Sequence, residues 1–435
     1  MDTLIKAVER FISGDWGEEN YSPESSEEVV CIRGADIENV QGGIYDSIPN
    51  RYISSSSLAN KKLKVGDIVI EKSGGSPTQS TGRTCYISED LIKEKKDVVC
   101  SNFCAAFSIR EAWDYKYIYY YIQNIYNQGN FFNFEGKTSG IRNLLLDTAF
   151  KSIPLPPIDK TIQTKLSGIL DCLDQKISLN TRMNAELEAM AKQLYDYWFV
   201  QFDFPFDFAQ GKPDENGKPY KSSGGKMVWN DDLKRSIPEG WTYSTIQEIE
   251  NKIITGKTPA TADETNFGGD IPFITIDDIR KSLFVYTTER TLSKRGAESQ
   301  NNKYIPKGTL CCSCIGTTGI IGYAGKESQT NQQINSIVIT NDYYREFLLF
   351  SLRLFFQYAK AKTGNILPNM NKEEFSAIKT VRPTLNVLEN YHNVVAPLFL
   401  QIDNNIQELN SLSKQRDELL PMLMNGQVEV SGLIK

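Results

Sequence analysis

Three features of the chain invite a chemical reading, and each fails on spacing or on missing partners. Residues 129–140, GNFFNFEGKTSG, contain the Gly-Lys-Thr with which a phosphate-binding loop holds a nucleotide. Such a loop needs four residues between its first glycine and the Gly-Lys-Thr, and it follows a strand. Here six residues lie between Gly129 and Gly136, and the preceding segment reads as helix. The eight cysteines, at 31, 85, 100, 104, 172, 311, 312 and 314, cluster only as Cys100/Cys104 and Cys311/Cys312/Cys314. A zinc site needs four tetrahedral ligands, and the chain has a single histidine, His392, so buried reduced thiols are expected. A Ser–His–Asp or Cys–His pair would also have to use His392, which falls in a helical repeat. No GxGxxG opens a βαβ unit, no NPP[YF] run offers the pocket of an amino-methyltransferase, and no compact acid–acid–lysine cluster stands out. The residues describe a reader or a scaffold.

The elements that would position such a reader come in two copies. KLKVGDIVIEKSGG, TGRTCYI and SNFCAAFSI in the first half match KYIPKGTLCCSCIG, TGIIGYA and TNQQINSIVI in the second. Gly66 aligns with Gly308, Gly82 with Gly319 and Asn102 with Asn331. YKYIYYYIQNIYNQG then pairs with EFLLFSLRLFFQYAK, and EGKTSGIRNL with AKTGNILPNM, setting Lys137 and Thr138 opposite Lys362 and Thr363. IPLPP parallels IKTVRP, and a long helical segment follows each. The preserved order marks a tandem duplication.

Within each copy, DIVIEKSGG, RTCYI and DVVCSNFCAAFSI, and likewise FITIDDI, GTLCCSCIG and INSIVIT, read as short strands with glycine-marked turns. The fold class is α+β with a mixed or antiparallel sheet, a tandem duplication of a globular domain plus a long helix. The distal helix shows a heptad seam through Leu388, Tyr391, Val395, Leu398, Ile402, Asn405, Leu409, Leu412, Arg416, Leu419 and Leu423. The central helix shows Ile162, Leu166, Ile169, Leu173, Ile177, Leu187, Met190, Leu194 and Trp198, interrupted by Asn180 and Asn184. The two helices are expected to pack as an antiparallel coiled coil. The boundaries read as a first domain at 1–158, a central helix at 159–200, a connector at 201–235, a second domain at 236–385, a distal helix at 386–425 and a tail at 426–435.

The chain of 435 residues, 40% hydrophobic and 23% charged, is long enough for two or three cored domains. It has no apolar run of about 18 residues and no signal-peptide pattern, so a cytoplasmic protein is expected. A net charge of −6 weighs against nucleic acid until its distribution is examined. Residues 299–341 hold one acid, Glu327; residues 347–372 hold none, yet carry Arg353, Lys360, Lys362 and Lys372. Acid-poor patches on an acidic chain suit local phosphate contact.

The helices with their flanks, LPPIDKTIQTKLSGILDCLDQKISLNTRMNAELEAMAKQLYDYWFVQFDF and LENYHNVVAPLFLQIDNNIQELNSLSKQRDELLPMLMNGQVEV, resemble the central and distal repeats of type I restriction–modification specificity subunits. GWTYSTIQEIENKIITGKTPATADETNFGGDIPFITIDDI looks like the start of a target-recognition domain of that family, and CIRGADI, EKSGGSPTQSTGR and SNFC are similar to the first such domain. The resemblance implies two target-recognition domains, each reading one half of a split, asymmetric site in double-stranded DNA, with the helices setting the spacer. It also implies docking of two adenine-methyltransferase subunits, joined by ATP-dependent restriction subunits in a prokaryotic cytoplasm. S-adenosylmethionine, ATP and magnesium would then belong to those partners, and this chain would hold no cofactor and catalyse nothing.

Under that reading the expected DNA-contacting residues of the first domain are Ser76, Thr78, Gln79, Ser80, Arg83, Lys137, Ser139, Arg142 and Asn143. Those of the second are Lys257, Thr258, Thr317, Thr318, Asn331, Gln332, Gln333, Lys362, Asn365 and Asn369. Arg, Asn and Gln suit bidentate base contact, while Lys, Ser and Thr more often hold phosphate. The alternative is that the glycine-flanked residues only make turns and that Asn331–Gln333 caps a strand. Two other functions compete: a coiled-coil assembly scaffold without DNA readout, and a self-sufficient nuclease or methyltransferase, which the missing motifs oppose.

Overall fold

The computed structural model describes residues 2–76, 78–138, 141–205, 218–363 and 369–427. It divides into two compact units, Met1–Met183 with Glu408–Lys435, and Asn184–Gln407. Each unit contains one globular α+β domain and a stretch of both long helices.

In the first unit, strands β1 (Val8–Ser13), β4 (Ile68–Glu71), β6 (Thr84–Tyr86) and β8 (Cys104–Ile109) form an antiparallel sheet in the order β1-β8-β4-β6. A second sheet sets β2 (Glu27–Ile32) between an antiparallel β3 (Asn50–Ile53) and a parallel β7 (Val98–Cys100). A small third sheet joins β5 (Ser73–Gly74), β10 (Ile141–Leu144) and β9 (Glu135–Thr138). All four residues of β4 are buried, which suits a β-branched strand covered on both faces.

The second unit repeats this plan. Its main sheet runs β14-β21-β18-β19-β16, built from Ile253–Thr255, Ile334–Ile337, Leu310–Ser313, Ile321–Ala324 and Phe284–Val285. Strand β15 (Phe267–Ile274) lies between an antiparallel β17 (Thr291–Leu292) and a parallel β20 (Gln329–Thr330), as β2 does in the first unit. The aligned glycines now have a cause. Gly66 and Gly308 turn into the central strand at φ +89° and +81°. Gly82 and Gly319 also have positive φ, and a Cβ on either would lie 2.7 Å from the ring or Cβ of Phe131 or Phe356.

Within each unit the two long helices run antiparallel. In the first, Asn180 donates to Glu408 at 2.6 Å and Arg416 to Asp174 at 3.2 Å. In the second, Asn405 donates to Asn184 at 2.8 Å, and the Tyr195 and Tyr391 rings lie 6.5 Å apart. The distal helix, Leu385–Met424, closes on a Schellman turn: Gln427 N–H reaches Met422 O, Gly426 N–H reaches Leu423 O, and Gly426 sits at φ +69°.

Two sequence expectations need correction. Ile162 and Met190 are 47% and 52% exposed, and the buried face instead follows Gln163, Leu166, Leu170, Ala191, Tyr195 and Trp198. The helix packs on a domain as well as on its partner, so its buried stripe is wider than a heptad seam and slightly rotated from it. FITIDDI is not all strand, because Ile276–Lys281 is a helix whose Asp278 carboxylate accepts from the Thr275 N–H and hydroxyl. That capping box overrides the β-branched run. A hairpin, β11 (Met227–Asn230) with β12 (Arg235–Pro238), straddles the boundary between the connector and the second domain. No described helix is long and apolar enough to cross a membrane.

His392 Nδ1 lies 2.7 Å from Glu346, a carboxylate only 2% exposed, and this hydrogen bond raises the imidazole pKa. A raised folded-state value means that protonated His392 stabilises the fold fully below the unfolded pKa of about 6.5. The contribution is lost as pH rises through the folded value. The melting-temperature gap between wild type and His392→Gln should therefore be widest near pH 6 and shrink toward pH 8.5. A gap independent of pH would refute this linkage.

Candidate nucleic-acid interface

The loop ends of each domain converge at one edge of the main sheet, and backbone hydrogen bonds fix which positions correspond. In the first domain Asp15 N–H bonds Cys100 O, Ser101 N–H bonds Ile32 O, and Lys72 N–H bonds Phe103 O. In the second, Lys257 N–H bonds Thr330 O, Asn331 N–H bonds Ile274 O, and Cys314 N–H bonds Gln333 O. Leu144 N–H to Lys72 O is matched by Met370 N–H to Cys314 O. Asp15 therefore corresponds to Lys257, Ser101 to Asn331, Asn102 to Gln332, Phe103 to Gln333 and Asn143 to Asn369. The sequence pairing of Asn102 with Asn331 is one residue out of register, because a tight turn offers only a shared asparagine to align on. The end of EGKTSGIRNL matches the end of AKTGNILPNM, Asn143 with Asn369 and Leu144 with Met370, while Lys137 and Thr138, set opposite Lys362 and Thr363, are separated from that match by residues 364–368, outside the described residues.

In the first domain the 76–83 loop and the 135–143 hairpin, separate in sequence, come together because β5 pairs with β10, Gly74 opposite Arg142 and Ser73 opposite Asn143. Ser76 organises the loop tip: its hydroxyl accepts from the N–H groups of Thr78 and Gln79, both exposed. Ser80 is buried at 3% exposure. Asn143 accepts from Ser73 Oγ at 2.5 Å. Lys137 lies on β9, opposite Arg142. Ser139 lies outside the described residues.

Both arginines are already paired. Arg83 makes a two-pronged bond to Glu71, at 2.9 and 2.6 Å, and the Glu71 residue is 3% exposed. That hydrogen bond raises the guanidinium pKa. Arg142 Nη1 bonds Glu135 at 2.7 Å, and the other Glu135 oxygen accepts from the Thr81 N–H and hydroxyl. These charge-assisted bonds tie each arginine to its own loop.

In the second domain the hydroxyl of Thr258 donates to Gln332 at 2.5 Å. Asn331 donates its amide to Gln333 at 2.9 Å and accepts from the Gln333 N–H at 3.1 Å. Asn369 accepts from the Gly316 N–H at 3.0 Å. Lys257, Thr258, Thr317, Asn331, Gln332, Gln333 and Asn369 thus form one polar cluster, with Lys257, Thr317, Gln332 and Asn369 exposed. Thr318 is buried at 3% exposure. Lys362 is exposed in the last turn of the helix Arg345–Thr363, and Asn365 lies outside the described residues.

Sequence reasoning missed Glu71, Glu135, Ser73 and Phe103. The SNFC block did carry a signal for Phe103, since the repeat sets it among the amides of TNQQ. Seven of the eight cysteines are buried, and burial pushes the Cys31, Cys104 and Cys311 thiols up to about 12. Those three are neutral thiols, without the thiolate needed for nucleophilic chemistry.

Removing Arg83 would leave the Glu71 carboxylate buried and unpaired. Arg83→Ala should destabilise the protein by roughly 3 kcal/mol. Denaturant unfolding checks this, and an unchanged midpoint would mean that the pair has no structural role.

A family model described as the type I restriction modification DNA specificity domain matches residues 33–189 and again 238–412. A Haemophilus influenzae protein named type I restriction enzyme HindI specificity subunit is 33% identical over 319 residues, 64% of this chain and 69% of that one. A Methanocaldococcus jannaschii protein named type I restriction enzyme MjaIX specificity subunit is 22% identical over 295 residues, 66% of this chain and 64% of that one. The chain thus spans just under two thirds of the latter's length. The crystal structure of the type I restriction-modification system S subunit from M. genitalium shares the fold, with a TM-score of 0.54 and 16% identity over 97% of this chain and 95% of that one. Matched twice by one family model, in the two halves that its own structure shows to be copies, the chain belongs to the type I restriction modification DNA specificity family.

Proposed function

We propose that the chain is the sequence-specific double-stranded DNA recognition subunit of a type I restriction–modification complex. Its two recognition domains, 1–158 and 236–385, each read one half of a bipartite, asymmetric site. The observation that carries this is the pairing of loop positions: the same frame presents Asp15, Asn102, Phe103 and Asn143 in one domain and Lys257, Gln332, Gln333 and Asn369 in the other. A shared scaffold with unlike side chains at its loop ends is what two unlike half-sites require. Arg, Asn and Gln of the expected set would contact base edges, and Lys, Ser and Thr the phosphates.

The long helices, at 159–200 and 386–425, would set the spacer and dock two methyltransferase subunits, with restriction subunits joining through those. Val394 and Leu400, 49% and 62% exposed on the distal helix, support a covered surface there. S-adenosylmethionine, ATP and magnesium would act on the partner subunits, and this chain would supply sequence choice without catalysis.

Selection from a randomised duplex library by the full chain with its methyltransferase partner should enrich one split motif. Gln332→Ala combined with Asn369→Ala should relax one half of that motif and leave the other intact. The loss at an affected base should be about 1–3 kcal/mol. Lys257→Ala should weaken binding evenly across sequences and lower the salt slope by about one. Absence of any enriched motif would favour the coiled-coil scaffold, and relaxation of both halves together would refute the division of labour.

A further inference from the structure

Phe103 and Gln333 hold the same place in the two copies of the fold and carry opposite chemistry. In both, the residue ends the turn before an inner strand, and its carbonyl accepts an N–H from the end of the central strand. In both, the neighbouring hairpin or segment supplies an asparagine, Asn143 or Asn369, at the matched position. Gln333 is a polar amide within a ring of polar partners. Phe103 is a benzyl group 58% exposed to solvent.

Nothing in the domain's own packing calls for an apolar ring there. Its backbone is held firmly, since the Phe103 carbonyl accepts from both Lys72 and Ser73 N–H groups at 2.8 and 2.9 Å, and Cys104 N–H closes the turn onto Ser101 O at 2.9 Å. Ser73 in turn bonds Asn143. The ring is a short side chain with two torsions on a fixed turn, and of the neighbouring Ser73–Asn143 pair the second domain keeps the asparagine, as Asn369.

Resting on the recognition function proposed above, we propose that Phe103 is a specificity-determining residue of the first domain, and that its ring packs on the C5-methyl group of a thymine in the major groove. An aromatic ring neither donates nor accepts a conventional hydrogen bond, so against most base edges it would strip water from polar groups without replacing the bonds. The thymine methyl is the one apolar feature that the unmodified major groove displays. The same position in the second domain, filled by Gln333, suits an adenine edge instead.

The experiment uses duplexes of the enriched motif in which each thymine, one at a time, is replaced by deoxyuridine, which lacks only the methyl group. Wild-type full chain should lose about fourfold in affinity at one such position. That position should lie in the half-site that the Gln332→Ala, Asn369→Ala variant still reads. Phe103→Ala, a change at an exposed side chain, should bind the thymine duplex about that much more weakly and be indifferent to the substitution. Deoxyuridine in the other half-site should affect wild type and variant equally. A variant that responds to every deoxyuridine as wild type does, or a first half-site without thymine, would overturn the assignment of Phe103 alone. A wild-type chain with no sequence preference would overturn the recognition function as well.

Discussion

Each globular domain completes its core with a stretch of both long helices, and the rest of the structure depends on that sharing. In the first unit Leu166 and Leu170 from the central helix and Leu420, Leu423 and Met424 from the distal helix join one apolar cluster with Phe107, Tyr117 and Ile118. In the second, Ala191, Tyr195 and Trp198 join Leu388, Tyr391, Val395 and Phe399 around Phe347 and Tyr323. Side chains of this size contribute roughly 1.5–3 kcal/mol each when buried. The first domain therefore depends on residues near position 420, far outside its own stretch of sequence. Polar bonds fix the orientation that burial alone leaves free: Asp174 takes hydrogen bonds from Tyr120 at 2.7 Å and Arg416, and Asp171 holds Lys116 at 2.7 Å. Buried polar pairs of this kind select a register more than they add stability.

The same division between frame and variable surface governs the candidate interface. Main-chain hydrogen bonds, which do not depend on side-chain identity, hold corresponding loop ends in place in both domains. Side chains at those ends are then free to differ, as Asp15 does from Lys257 and Phe103 from Gln333. Where a loop needs further support, buried carboxylates supply it, Glu71 for Arg83 and Glu135 for Arg142 and Thr81. A reader built in this way can change its target without changing its fold.

The duplication, the two long helices and the turn glycines were legible in the sequence, because each leaves a periodic or positional trace. Gly82 and Gly319 stand out by conformation and close packing together. The buried stripe of the central helix was misplaced by one residue at several points, from Ile162 to Gln163 and from Met190 to Ala191, since a heptad count assumes a single partner. The carboxylate partners of Arg83 and Arg142 could not be read, because pairing over 12 and 7 residues depends on how the strands fold back. Of the expected contact residues, Ser80 and Thr318 turn inward. A polar residue beside a glycine carries no sign of which way it faces.

The central claim is that one chain, built twice, reads two halves of one DNA site. A base-resolution map of adenine methylation in the source genome, with and without this gene, tests it most directly. The account predicts that a single split, asymmetric motif loses its methylation when the gene is removed. An unchanged methylation map, or loss at one short uninterrupted motif, would contradict it.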